Sequence, residues 1–208
     1  MSTIAAISTP NYAGGIAVIR ISGENAVQVA EKVFRPSGNK NIKDMSGYTC
    51  AYGIAHDDGE RLDDCILTVF KAPHSYTGED VVEISCHGGI YVTKRILRAI
   101  LKNGAENAGA GEFTKRAYLN GKLDLTQAEA VMDIISAKGE RELKMAETLR
   151  EGMAFKKAKK CSDKLMKILG DLGAWADYPE EDIPEVRPEN LCRELSEVQS
   201  DLLSLVEN

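Results

Sequence analysis

Apolar positions recur along this chain with two different periods, and the change falls near residue 120. Before it, short β-like runs at residues 4–8, 15–22, 48–55, 65–70 and 81–86 predict strands, that at 15–22 being enriched in Ile and Val. Two stretches between them repeat every three to four residues and predict helices. One opens at Ser22-Gly23-Glu24 and runs to about Phe34, with Ala26, Val27, Val29, Ala30 and Val33 on its apolar side. The other runs from about Gly89 to Lys102 on Ile90, Val92, Ile96, Leu97, Ile100 and Leu101. Some of the connections are too short for a βαβ crossover, so residues 1–119 read as an α+β domain.

After residue 120 the strand pattern disappears. Thr126, with Glu129 three residues on, reads as the capping box of a helix start. From there to about Trp175 the pattern is amphipathic and broken only by Gly139, Gly152 and Gly170, with stripes at Ala130, Ile134, Ala137 and at Leu143, Ala146, Leu149. Pro179, Pro184 and Pro188 predict a non-helical acidic segment over residues 177–189. A second long helix follows over 189–206 on Leu191, Leu195, Val198, Leu202 and Leu205. Two long helices make an incomplete bundle, so residues 120–208 read as an all-α unit whose stripes meet something outside this sequence. Trp175 reads as an anchor between helices.

Composition narrows the class. With 208 residues, 43% hydrophobic and 28% charged, the chain suits one or two globular domains. No apolar run approaches the ~20 residues that span a bilayer. The N-terminus MSTIAAISTPNYAGG lacks the basic and long apolar regions of a secretory signal, so a cytoplasmic protein without a membrane partner is expected. Five scattered cysteines without a CxxC pair give no support to a zinc ribbon or a redox site, and are read as reduced thiols. A net charge of −6 argues against a general electrostatic nucleic-acid binder. Lys156, Lys157, Lys159, Lys160, Lys164 and Lys167 nevertheless cluster; they read first as a solvated helix face and second as an RNA-backbone contact.

The chemistry concentrates between the strands. Glu83 lies inside the apolar run Val81-Val82-Glu83-Ile84, and Arg20 inside Val18-Ile19-Arg20-Ile21. A charge in such a run is costly unless a salt bridge, a hydrogen-bonded partner or a ligand answers it. Either residue alone fits an edge strand whose alternate side chains face water. Opposite charges on two strands favour a shared pocket or an internal ion pair. Lys122 follows Asn120-Gly121, where a helix must break and restart. Gly14-Gly15 fit neither GxGxxG nor GxxxxGK[ST] and read as a tight turn; no phosphate-cradling loop sequence occurs, so no nucleotide hydrolysis by this chain is expected. Cys86 and His87 are adjacent on a strand and point to opposite faces, so they do not read as a nucleophile and its base. His87-Gly88-Gly89 reads as a strand-to-helix turn exposing backbone N–H groups.

The blocks GGIAVIRISG (14–23), APHSYTGEDVVEISCHGG (72–89), GEFTKRAYLNGKLDLTQAEAVMDII (111–135) and DYPEEDIP (177–184) closely resemble the N-terminal part of the MnmE (TrmE) family of tRNA-modification GTPases, over essentially the whole chain. The resemblance implies a folate-binding domain similar to that of the glycine-cleavage aminomethyltransferases, then a helical domain. It also implies a Ras-like GTPase domain inserted just beyond residue 208 and further helices ending in a cysteine-containing motif. The chain is therefore expected to be a piece of a longer protein. The implied function is modification of tRNA at C5 of the wobble uridine (position 34). A tetrahydrofolate derivative, 5-formyl- or 5,10-methylene-tetrahydrofolate, would be the one-carbon source, and the flavoprotein MnmG (GidA) the partner. GTP, K+ and Mg2+ would belong to the GTPase domain alone. By the same resemblance Glu83 pairs with the pterin while Arg20 and Lys122 serve the rest of the folate, with no catalytic residue or metal ligand assigned. Two copies are expected to pair through the first domain, where the strand at 4–8 reads as an edge in need of cover.

Two other classes stand beside this reading: a free-standing folate-dependent aminomethyltransferase, and a non-enzymatic dimerisation scaffold with a decayed pocket. Glu106 and Ala110 replace an arginine and a proline usual in the family's loop before GEF, and Tyr12 stands where glycine is common. These departures bear on the rim of the pocket rather than on the fold.

Overall fold

A computed structural model describes residues 1–38, 40–177 and 187–206. The chain divides into two compact units, Met1–Leu123 and Asp124–Asn208, taken here one at a time.

The first unit is built on seven strands: β1 (Ile4–Ile7), β2 (Ile16–Ser22), β3 (Phe34–Pro36), β4 (Thr49–Asp57), β5 (Glu60–Phe70), β6 (Val81–His87) and β7 (Glu106–Asn107). They form one sheet in the order β3-β4-β5-β6-β2-β1-β7, antiparallel throughout except for the β1–β7 pair. Helices α1 (Ala26–Val33) and α2 (Ile90–Lys102) share one core with the sheet, and α3 (Glu112–Leu119) follows β7. Because successive strand residues alternate in direction, Ile19 and Ile21 of β2 and Val82 and Ile84 of β6 enter that core, while Arg20 and Glu83 point to the other face. Each Val or Ile so buried contributes about 1.5–3 kcal/mol relative to exposure.

Several expectations shift. The strand at residues 4–8 is no edge: β1 is flanked by β2 and by the two-residue β7, whose Glu106 N–H donates to Thr3 O at 2.8 Å. The argument for pairing of copies from an uncovered β1 therefore falls. Helix α1 starts at Ala26, not Ser22, because Ser22 closes β2 and Gly23 takes φ +138°. A Cβ on Gly23 would lie 2.7 Å from Thr3 Cα, so only glycine permits this crossing. Strand β5 begins five residues earlier than its apolar run, at Glu60, because Asp58-Gly59 (φ 47° and 87°) closes a tight hairpin with β4. Strand β3 carries Pro36 and sits at the sheet edge, where a missing N–H is tolerated. The chain bends at Gly15 just before β2, beside Gly88: Gly14 N–H donates to Gly88 O at 3.0 Å, and a Cβ on Gly88 would lie 2.5 Å from Gly14 O.

The second unit consists of α4 (Leu125–Ser136), α5 (Glu140–Arg150), α6 (Met153–Asp177) and α7 (Pro188–Val206). An α+β unit thus precedes an all-α one, in the order the periodicities predict. The first of the two expected long helices is three, broken at Ala137-Lys138-Gly139 and at Gly152, which takes φ +65°. The capping box of α4 is Asp124 with Gln127, not Thr126 with Glu129: Gln127 N–H donates to Asp124 Oδ1 at 2.8 Å and Asp124 N–H to Gln127 Oε1 at 2.9 Å. Pro188 opens α7, a first helical position that needs no N–H donor. Trp175, expected as an anchor, leaves 46% of its surface exposed. Most of the acidic segment 177–189 lies outside the described residues.

Candidate functional site

Strands β2 and β6 place Arg20 directly opposite Glu83 in the antiparallel register. Both strands are interior, so neither residue owes its charge to an edge. Arg20 Nε donates to Glu83 Oε1 at 2.7 Å, and the two side chains keep only 26% and 23% of their surface. The Arg20 guanidinium carbon lies 5.4 Å from the ring centroids of both Tyr76 and Phe113. Two aromatic rings and an ion pair therefore meet on the sheet face away from the helical core. Tyr76 is held by a hydrogen bond of 2.8 Å between its hydroxyl and that of Thr114 on α3.

Tyr76 belongs to the segment between β5 and β6, residues 71–80, and that segment is tied down from several sides. Asp80 accepts from the Ala72 N–H at 2.9 Å and pairs with Lys71 at 3.4 Å. Asn120 Nδ2 donates to Thr77 O at 2.7 Å. Lys122 Nζ donates to Pro73 O at 3.0 Å, and its stem runs along Gly78, where a Cβ would lie 3.3 Å from Lys122 Cγ and where φ +78° favours glycine. Lys122 itself is exposed. The structure thus brings Arg20 and Glu83 into contact, and ties Lys122 to the segment that carries Tyr76.

Beneath it lies a buried polar network that the sequence reading passed over. Arg116 of α3 is 4% exposed. Its Nη1 donates to Ser2 O at 2.7 Å and to both Glu79 carboxylate oxygens at 3.1 Å, and its Nη2 donates to Glu112 Oε1 at 3.1 Å. Glu79 also accepts from the Ser22 hydroxyl at 2.8 Å, which in turn meets Thr77 Oγ1 at 2.7 Å. Glu112 accepts the Gly109 N–H at 2.7 Å. That bond above all, with Arg116 adding to it against the effect of burial, holds the Glu112 carboxyl below its ordinary range. The network locks the N-terminus, β2, α3 and the 71–80 segment to one another, which fixes where Tyr76 and Phe113 stand. No local signal marks Arg116, which sits in an ordinary polar stretch, Thr114-Lys115-Arg116.

Cys86 and His87 are separate, as expected. His87 Nδ1 lies 2.8 Å from Asp63 Oδ1, and this hydrogen bond raises the imidazole above its ordinary pKa. The Cys86 thiol is raised by burial and contacts Thr93 Oγ1 at 3.9 Å. Among the described residues no cluster of His, Cys, Asp and Glu could hold a metal ion, and no helix is long and apolar enough to cross a membrane.

Comparison with known proteins follows the same two-unit division. The family described as GTP-binding protein TrmE N-terminus matches residues 3–122, and MnmE helical domain matches residues 125–208. The tRNA modification GTPase MnmE of Alkaliphilus metalliredigens is 44% identical over 207 residues, covering 99% of this chain and 45% of the relative. The protein of that name from Carboxydothermus hydrogenoformans is 45% identical over 206 residues, 98% of this chain and 45% of the relative. That of Caldicellulosiruptor saccharolyticus is 47% identical over 189 residues, 91% of this chain and 42% of the relative. The chain spans less than half the length of these relatives. Matched in order and almost end to end by both parts of one family, this chain belongs to the MnmE (TrmE) family of tRNA-modification GTPases.

Proposed function

We propose that the first unit binds a tetrahydrofolate derivative, 5-formyl- or 5,10-methylene-tetrahydrofolate, for modification of tRNA at C5 of the wobble uridine. The carrying observation is Glu83, a partly buried carboxylate on an interior strand beside two aromatic rings. A pterin presents its 2-amino group and a neighbouring ring N–H side by side. A carboxylate accepts both in one bidentate, charge-assisted contact. Arg20 occupies only one of the roughly four lone-pair positions of Glu83, so acceptor capacity remains. Tyr76 and Phe113 supply flat apolar surface for the ring system. Lys122, exposed beside the 71–80 segment, and Arg20 suit the rest of the folate, its glutamyl carboxylates included, while the Arg20 hydrogen bond also orients Glu83. The donor set therefore fits the ligand. When bound, the folate would supply a one-carbon unit.

The whole protein would act with the flavoprotein MnmG and, through the GTPase domain of the family, use GTP with K+ and Mg2+ in the cytoplasm. Pairing of two copies through the first unit belongs to this proposal on the family resemblance alone. Glu83→Gln tests the site. It keeps size but turns one acceptor into a donor facing the pterin's own donors, and costs about 2–4 kcal/mol of binding, or about 30- to 1,000-fold in Kd. Calorimetric titration of 5-formyltetrahydrofolate into both proteins measures it. A folded variant that binds as tightly as the parent removes the assignment.

A further inference from the structure

Helix α6 carries six lysines and one aspartate between residues 156 and 167. At about 100° per residue, Lys156, Lys159, Lys160, Lys164 and Lys167 fall within one side of the helix, over about 16 Å of its length. Together they make an open face on which Asp163 is the one carboxylate among them. Cys161 and Ile168, on the flank next to Lys164, are buried. Among the described residues only Lys164 of this stripe has a carboxylate partner, Glu197 on α7 at 3.2 Å.

The stripe is locally unfavourable. Lys156 with Lys160 and Lys160 with Lys164 are like charges at four-residue spacing, and Lys156 with Lys159, Lys157 with Lys160 and Lys164 with Lys167 at three. Each such pair costs a helix about 0.2–0.5 kcal/mol. Lys156, in the first turn of α6, also stands at the positive end of the helix dipole with no acidic residue in that turn to offset it. Glutamates at alternate positions would remove both penalties, and only Asp163 does part of this. An extended polyanion would remove them from outside.

We propose that this lysine stripe of α6 is a contact surface for the phosphate backbone of the tRNA substrate. The inference rests on the tRNA-modification reading given above. Lysine is depleted in the cores of protein–protein interfaces, whereas long, flexible ammonium side chains in a row neutralise successive phosphates without reading sequence. Lys156, Lys160, Lys164 and Lys167 recur about once per helical turn, a regular array suited to a regular chain of charges.

The test is fluorescence anisotropy of a labelled tRNA transcript titrated with this chain over a series of salt concentrations. Lys156→Gln, Lys160→Gln and Lys167→Gln are combined in one variant; Lys164 is left with Glu197. A control variant combines Lys32→Gln, Lys40→Gln and Lys94→Gln, exposed lysines of the first unit, and changes net charge by the same amount. The stripe variant should flatten the slope of log K against log[salt] by about 2–3 and weaken binding at low salt more than tenfold. The control should stay within about twofold of the parent. Circular dichroism checks that helix content is kept, and binding of 5-formyltetrahydrofolate should be equal in all three proteins. Absence of tRNA binding by the parent at about 50 mM salt, equal losses in stripe and control variants, or an unchanged stripe variant each overturns the proposal. So does competition by polyglutamate as strong as that by RNA at equal charge, which would assign the stripe to an acidic protein. None of these results touches the folate reading, which stands or falls on Glu83.

Discussion

Replacing Arg116 by methionine removes the centre of the network under the 71–80 segment while leaving most of its volume filled. The wild-type guanidinium makes four contacts between 2.7 and 3.1 Å, to Ser2 O, both oxygens of Glu79 and Glu112 Oε1. After the change, among the described residues the Glu79 carboxylate keeps only the Ser22 hydroxyl as a side-chain donor, in a position where its own side chain is 14% exposed. Removing one partner of a buried pair leaves an uncompensated charge, and Arg116→Met should therefore cost about 3–5 kcal/mol. Arg95→Met, which breaks a 2.8 Å pair with the well-exposed Glu60, should cost far less, because solvent screens that pair. Combining Arg116→Met with Glu79→Leu should recover at least about 1.5 kcal/mol relative to additivity, because the stranded charge goes with it. Pulse-labelling hydrogen exchange across a urea series, read on peptides from residues 1–123, measures the first unit by itself. A loss below about 1 kcal/mol for Arg116→Met, or an additive double variant, would refute the argument that this pair anchors the segment.

Two further outcomes follow from the cysteines and from His87. Cys50 and Cys192 are exposed, whereas burial pushes the Cys65 thiol up to about 12 and raises Cys86, and Cys161 is buried. A chromogenic disulfide reagent at neutral pH should count two thiols in the native chain and all five only in denaturant; fast reaction of Cys65 would contradict the packing. His87, raised by its hydrogen bond to Asp63, contributes stability that is complete below its unfolded pKa and fades as pH rises through the higher folded value. Proton NMR titration should find its midpoint above the ordinary 6.5, and Asp63→Asn should bring it back. An unshifted midpoint in the parent would show that the pair does not form in solution.

Short apolar runs were enough to place β2, β4 and β6, because a strand that enters the core must carry its apolar side chains within a few residues. The same logic located α1 and α2 by their three-to-four spacing and set the order of an α+β unit before an all-α one. Two charges in apolar runs marked the site, since Arg20 and Glu83 would each be costly without an answer. Local periodicity could not say that they answer each other; that depends on β2 lying beside β6 with residue 20 opposite 83, a register fixed by contacts across the sheet. Nor could it find β7, whose Glu106 and Asn107 carry no strand signature and pair only because β1 offers free backbone groups. The break of the long helical run at residues 137–139 and the choice of Asp124 over Thr126 as cap were both open to the sequence and were misjudged, two capping patterns lying two residues apart. Arg116 was beyond it, because a buried arginine is favourable only where Glu79, Glu112 and the Ser2 carbonyl converge. The sequence by itself determined the elements and the residues whose burial demands a partner. The tertiary structure alone decided which partner each one has, because an ion pair between residues 63 positions apart exists only once the sheet has closed the distance.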